Sequence, residues 1–111
     1  MALVRRSMLL AGAVLLASPP ALADAPSDQA VLEARCLVKA DATAKASGYK
    51  DMQSMMYRGL FVGRIIARSG EAAGKLAVAA ARKDAANPAL MPSDDTCKAA
   101  VDTILGRLYV D

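Results

Sequence analysis

The sequence of 111 residues has no histidine, no tryptophan, a single phenylalanine, three tyrosines and two cysteines. Without histidine there is no imidazole base, no Ser–His or Cys–His nucleophile and no His-ligated metal. Two cysteines cannot build a four-thiolate zinc site. A glycine-rich phosphate loop is missing, and the chain is too short for a nucleotide-binding αβ domain. The longest apolar stretch is residues 8–17, about half of the roughly 20 residues that a membrane span requires.

What surrounds that stretch has a recognisable order. Arg5 and Arg6 precede it, Pro19 and Pro20 break it, and Ala21 and Ala23 supply small residues before Asp24. This is the pattern of a secretory signal. The expectation is a cleaved segment over 1–23, a single domain over 24–111, and export, with a bacterial periplasm as the destination. No cysteine adjoins the cleavage position, so a lipid anchor is not expected, nor is a membrane span after cleavage. Losing Arg5 and Arg6 takes the 14 basic residues to 12, against 11 acidic. The basic character therefore resides partly in the signal and is no nucleic-acid footprint. Nineteen residues after the signal are alanine, a composition that suits close helix packing better than a bulky core.

Cys36 and Cys97 are the only thiols. Export places them where disulfides persist, and an exclusive pair with no Cys-x-x-Cys spacing and no histidine reads as a structural bridge rather than a reactive centre. An intermolecular bridge and a reactive thiol are the competing readings. A loop of this length implies about 4 kcal/mol of chain-entropy stabilisation.

Four helices are expected. The first runs from Gln29 to Ala46, capped by Ser27 or Asp28, with Leu32, Cys36, Ala40 and Thr43 on one face and a stop at Ser47-Gly48. The second follows an Asp51 cap to about Arg68. Met52, Met56, Gly59, Gly63 and Ile66 share a face expected to point inward, with Gly59 and Gly63 admitting a closely packed helix. Its other face carries Tyr57, Phe61, Arg64 and Arg68, set to meet either the third helix or a partner. Aromatic and arginine side chains are enriched at interface centres, which makes these four residues the candidate interaction surface. Ser69-Gly70 is a break or sharp bend before a third, alanine-rich helix from Glu71 to about Ala86, which Asn87-Pro88 ends. Ser93 caps the fourth, whose stripe is Cys97, Val101, Ile104 and Leu108. Cys36 and Cys97 both fall on apolar stripes. The fold class is all-α, a compact bundle of about four short helices with the first and last bridged.

Little in the chain points to catalysis. The acids Glu33, Asp41, Asp51, Glu71, Asp84, Asp94, Asp95 and Asp102 fall mostly at caps or on solvent faces, and Asp94-Asp95 beside Ser93 reads as capping. Met52, Met55 and Met56 have thioethers that suit Cu(I), but methionines on an inward face more often fill gaps. No catalytic residue, metal site or cofactor is expected.

The segments Cys36-Leu37-Val38, Tyr57-x-Gly59-Leu60-Phe61-x-Gly63-Arg64 and Cys97 together resemble a group of small exported helical proteins of alphaproteobacteria, a group with no assigned function. The resemblance implies an exported helical fold and brings no chemistry with it. A remoter similarity, in size, compartment and one bridged helix pair, is to HdeA-type periplasmic acid-stress chaperones; no motif matches residue by residue, so it is analogy alone. The functional expectation is a non-catalytic helical binding protein outside the cytoplasm, partnered by another copy of itself or another exported protein. An acid-stress chaperone is the alternative, and a small hydrolase working without histidine comes third.

Overall fold

The computed structural model describes residues 27–108. The expected signal segment 1–23 and its cleavage position lie outside them. Helix α1 spans Asp28–Ala46, α2 Met52–Asp84 and α3 Asp94–Leu108, with a 3-10 turn at Pro88–Leu90 before α3. Among the described residues there is no strand, and no helix is long and apolar enough to cross a membrane.

Local chemistry sets the ends of these helices. The Ala30 amide donates to Ser27 Oγ at 3.1 Å, that of Ser54 to the Asp51 carboxylate at 3.1 Å, and that of Thr96 to Ser93 Oγ at 3.1 Å. Each cap satisfies an amide that has no intrahelical partner. At the far end of α1, Gly48 and Tyr49 both take φ of 63°. Glycine adopts that conformation freely and tyrosine does not. The Tyr49 amide donates to Ala44 O at 2.7 Å, and the Arg58 guanidinium stands 5.5 Å over its ring.

The structure has three helices where four were expected. The bend occurs at the expected place, but helical hydrogen bonding resumes on both sides of a single residue, so α2 is one element of 33 residues folded at Gly70. There φ is 79° and ψ is 170°, a combination open essentially to glycine alone. A Cβ added to Gly74 would lie 2.9 Å from Ile65 Cγ2. Nine residues along a straight α-helix cover about 13 Å, so this approach requires the two arms of α2 to turn back on each other.

Phe61 is fully buried at the centre, packed in one cluster with Ala34, Cys36, Leu37, Ile65, Ala81, Cys97, Ala100, Val101 and Ile104. The bridge expected from the cysteine positions is present: Cys36 and Cys97 are disulfide-bonded with Cα atoms 5.6 Å apart, joining α1 to α3. Ion pairs run from α1 to both other helices. Arg35 reaches Asp84 at 3.2 Å, Asp41 reaches Arg58 at 3.0 Å, and Lys39 reaches Asp94 at 2.8 Å while also donating to Pro92 O at 2.7 Å. α1 is thus the strut against which both arms of α2 and the start of α3 are set.

Candidate interaction groove

The first arm of α2 is turned the opposite way from the sequence expectation. The Met/Gly face is outside: Met52 is 80% exposed, Met56 58%, and Ile66 is exposed as well. Gly59 and Gly63 are exposed, with nothing within 4 Å of where a Cβ would stand, so neither provides the close helix contact expected of it. The face bearing Tyr57, Phe61, Arg64 and Arg68 is inside or at the edge of the interior. Phe61 has no exposed surface and cannot be part of a docking face. Tyr57 is half-buried, edge-on to Phe61 with ring centroids 6.4 Å apart, and its hydroxyl accepts from Gln53 Nε2 at 3.2 Å. The physical reason is volume. Phe61 and Ile65 fill the middle of this side with whole apolar side chains, where Gly59 and Gly63 in the middle of the other offer none to bury.

Burying that side brings two arginines toward the interior, and α1 supplies their counter-charge. Glu33 is fully buried. Its Oε1 accepts from Arg64 Nε at 3.0 Å and from an Arg68 terminal nitrogen at 3.3 Å, and its Oε2 accepts from the other Arg68 terminal nitrogen. A carboxylate out of water is tolerable only when paired and hydrogen-bonded. Among the described residues no buried side-chain nitrogen or oxygen is left without a partner. The sequence reading had set Glu33 among surface acids. The signal that would have placed it is its register: Glu33, Leu37, Ala40 and Ala44 recur at four, three and four residues, and all four are buried.

Arg64 and Arg68 lie at one wall of an open groove of about 410 Å³ between α1, α2 and α3. Leu32, Ala100 and Ile104 also line it, and Arg107 stands at its α3 end. Of the four residues expected to form an interaction surface, Arg64 and Arg68 therefore line this groove, where Arg107, Leu32 and Ile104 join them, and Tyr57 lines a separate recess beside Lys39 and Asp94. Arg107 sits in the last turn of α3, where a cation complements the helix carbonyls; nothing in its local sequence ties it to Arg64.

The acids are committed elsewhere. Asp51 caps α2, and Asp94 pairs with Lys39. The hydrogen-bonded Lys39 ammonium holds the Asp94 carboxyl below its ordinary range. Asp41 is likewise lowered, first by its hydrogen bond from Lys45; burial opposes this, and the charges of Lys45, Arg58 and Arg82 lower it further. Among the described residues no group of three His, Cys, Asp or Glu side chains is placed to hold a metal ion. Met55 is half-buried and its sulfur accepts from Arg58 at 3.5 Å, while Met52 and Met56 stand in solvent. No protein family, no curated protein and no solved structure matches the chain.

Proposed function

We propose that the protein is an exported, non-catalytic helical binding protein of the periplasm, and that its binding face is the arginine groove between α1, α2 and α3. The observation that carries this reading is the groove itself: three guanidiniums, Arg64, Arg68 and Arg107, around an apolar floor, with no acid lining it among the described residues. The leader pattern of residues 1–23 and the Cys36–Cys97 bridge support an oxidising compartment. The absence of histidine and the commitment of the carboxylates to caps and ion pairs support a role without catalysis. The partner is another copy of the chain or a different exported protein. The test is a photo-cross-linking residue placed at Thr103, an exposed position lining the groove, in the chain expressed with its leader. Adducts at Thr103, and none from the same probe at exposed Ala79 on α2, are expected. A protein that stays monomeric and forms no adduct from either position refutes the reading.

A second reading, an acid-stress chaperone, is favoured by one feature. Asp41 and Asp94, which carry ion pairs linking α1 to α2 and α1 to α3, have carboxyls held below their ordinary range by Lys45 and Lys39. Their contribution to stability is lost as pH falls toward about 2–3, while the covalent bridge between α1 and α3 stays. Loss of client aggregation at that pH in the presence of the protein is the expected result; no protection at stoichiometric excess removes this reading.

A further inference from the structure

We infer that the groove is built for an acidic segment of another protein, a stretch of chain in which carboxylates alternate with small or aliphatic side chains. The inference deepens the binding reading above and rests on it.

The charge comes first. Three guanidiniums line the groove, and the one carboxylate ion-paired to any of them among the described residues, Glu33, is fully buried behind Arg64 and Arg68. Three positive charges against one negative leave an excess of two facing the opening. Donors come next. Arg64 spends only Nε on Glu33, so both of its terminal nitrogens remain to donate; Arg68 spends its two terminal nitrogens and retains Nε. Arg107 forms no ion pair within 4 Å among the described residues. The other polar groups contribute less. Thr103 Oγ1 donates to Ala99 O at 3.0 Å, and Thr96 Oγ1 lies 2.9 Å from Ser93 Oγ. The Gln29 amide adds one neutral donor and acceptor group at the α1 side, so the charged capacity left in the groove is guanidinium N–H, which recognises planar oxyanions.

The arginines are also held in advance. The Glu33 carboxylate fixes Arg64 and Arg68 side by side in the folded chain, so their rotamer freedom is lost on folding rather than on binding, where it would otherwise oppose association. A buried carboxylate that orients two cations toward an opening is a positioning device, and Glu33 is a positioning residue in this sense.

Shape selects the size of the ligand. The lining residues of α3 run from Thr96 to Arg107, about 16 Å of helix. A pocket for a small anion encloses most of its ligand, whereas this groove is open along its length. That length matches about five residues of extended chain or three turns of helix. The floor of Leu32, Ala100 and Ile104 offers apolar contact between the cationic groups, which a bare polyphosphate would leave unused. Single-stranded nucleic acid needs aromatic platforms for its bases, and neither Tyr57 nor Phe61 is among the lining residues.

The experiment uses the disulfide-bonded chain and two labelled peptides of the same length, one of Glu, Leu and Ala, the other with Gln for every Glu. Fluorescence anisotropy should show the acidic peptide binding at least about tenfold more tightly, a difference near 1.4 kcal/mol, and losing that advantage as salt rises from about 0.05 to 0.5 M. Arg107→Glu and Thr103→Glu each put a carboxylate in the groove without touching the Glu33 pairs. Both should abolish the preference for the acidic peptide while leaving the thermal midpoint near that of the parent. Equal affinity for the two peptides overturns the inference, as does a preference that survives both substitutions. Inorganic phosphate or vesicles rich in anionic lipid that bind more tightly than the peptide, with the same dependence on Arg107, would overturn it in favour of those sources. The Thr103 cross-link separates the two levels. If adducts form there and survive Arg107→Glu, the binding reading stands and the acidic segment falls; if no adduct forms and no peptide binds, both fall.

Discussion

The four helical or hinge glycines of α2 allow a test of its orientation with one substitution made four times. Gly59 and Gly63 are helical, exposed and open around the position of a Cβ. Replacing either by alanine removes backbone freedom from the unfolded chain and adds no clash, so each change should stabilise by about 1 kcal/mol. Gly70 has equal space around it but φ of 79° and ψ of 170°. Alanine there should cost about 1–3 kcal/mol from backbone strain alone, and its helix preference favours a straight α2 that pulls the arms apart. Gly74 is helical, yet its new methyl would meet Ile65 Cγ2 at 2.9 Å. Ile65 is buried and stiff at χ1, so an overpacking cost of about 1–3 kcal/mol should outweigh the propensity gain.

For a domain of this size 1 kcal/mol corresponds to about 4–8 °C in the thermal midpoint. Urea melts of the four variants, made and measured on the oxidised chain, should thus show two upward and two downward shifts. For Gly70→Ala, small-angle scattering should also show an enlarged particle. If Gly59→Ala and Gly63→Ala both destabilise, the Met/Gly face is covered and the arm is oriented as its hydropathy pattern suggested. If that destabilisation appears only at high protein concentration, the cover is a second copy. If Gly70→Ala leaves stability unchanged, α2 is not folded back.

Glu33→Gln removes the charge that Arg64 and Arg68 share. Those side chains keep some solvent contact, so the loss should fall at or below the roughly 3–5 kcal/mol typical of breaking a buried pair, whereas the double change Arg64→Ala, Arg68→Ala strands the buried carboxylate and should cost more; chemical denaturation of the two variants gives the order. Asp41 and Asp94 have folded-state carboxyls below their ordinary range because of Lys45 and Lys39, so each contributes stability that is full above the unfolded value of about 3.9 and is lost as pH falls through the folded one. The midpoint should therefore decline from about pH 4 downward, and the double variant Asp41→Asn, Asp94→Asn should be less stable at neutral pH with a shallower acid slope; an unchanged slope refutes this. Reduction of the Cys36–Cys97 bridge, or Cys97→Ala, should cost about 2–5 kcal/mol, read as a lower midpoint with much of the far-ultraviolet helical signal retained after partial unfolding; mass analysis finding two free thiols in the protein isolated without reductant would refute the bridge.

The features legible in the sequence are those with local causes. Ser27, Asp51 and Ser93 cap helices because a side-chain oxygen three residues ahead of an unpaired amide does the same work in any fold. The bend at Gly70 was marked by its residue type, although its sharpness, one residue rather than a loop, was not. The bridge was legible because Cys36 and Cys97 each lie on an apolar stripe, and both are buried.

The orientation of α2 had no local cause and was misread for one reason. The α1 stripe taken through Leu32, Cys36, Ala40 and Thr43 is rotated from the buried one: Thr43 is exposed, while Glu33 is wholly enclosed. With Glu33 assigned to solvent, no buried counter-charge is at hand for an inward Arg64 or Arg68, and their face is left to meet either the second arm of α2 or a partner. Met52, Met56, Gly59 and Gly63 are then assigned to the core in place of Phe61. With Glu33 inside, every step reverses. Its two oxygens take three guanidinium hydrogen bonds, the aromatic side becomes the interior side, and the arginine donors that Glu33 does not use are left at the mouth of the groove. The choice of interior face and the arginine lining of the groove are therefore the same decision, made by a carboxylate that precedes Arg64 by 31 positions.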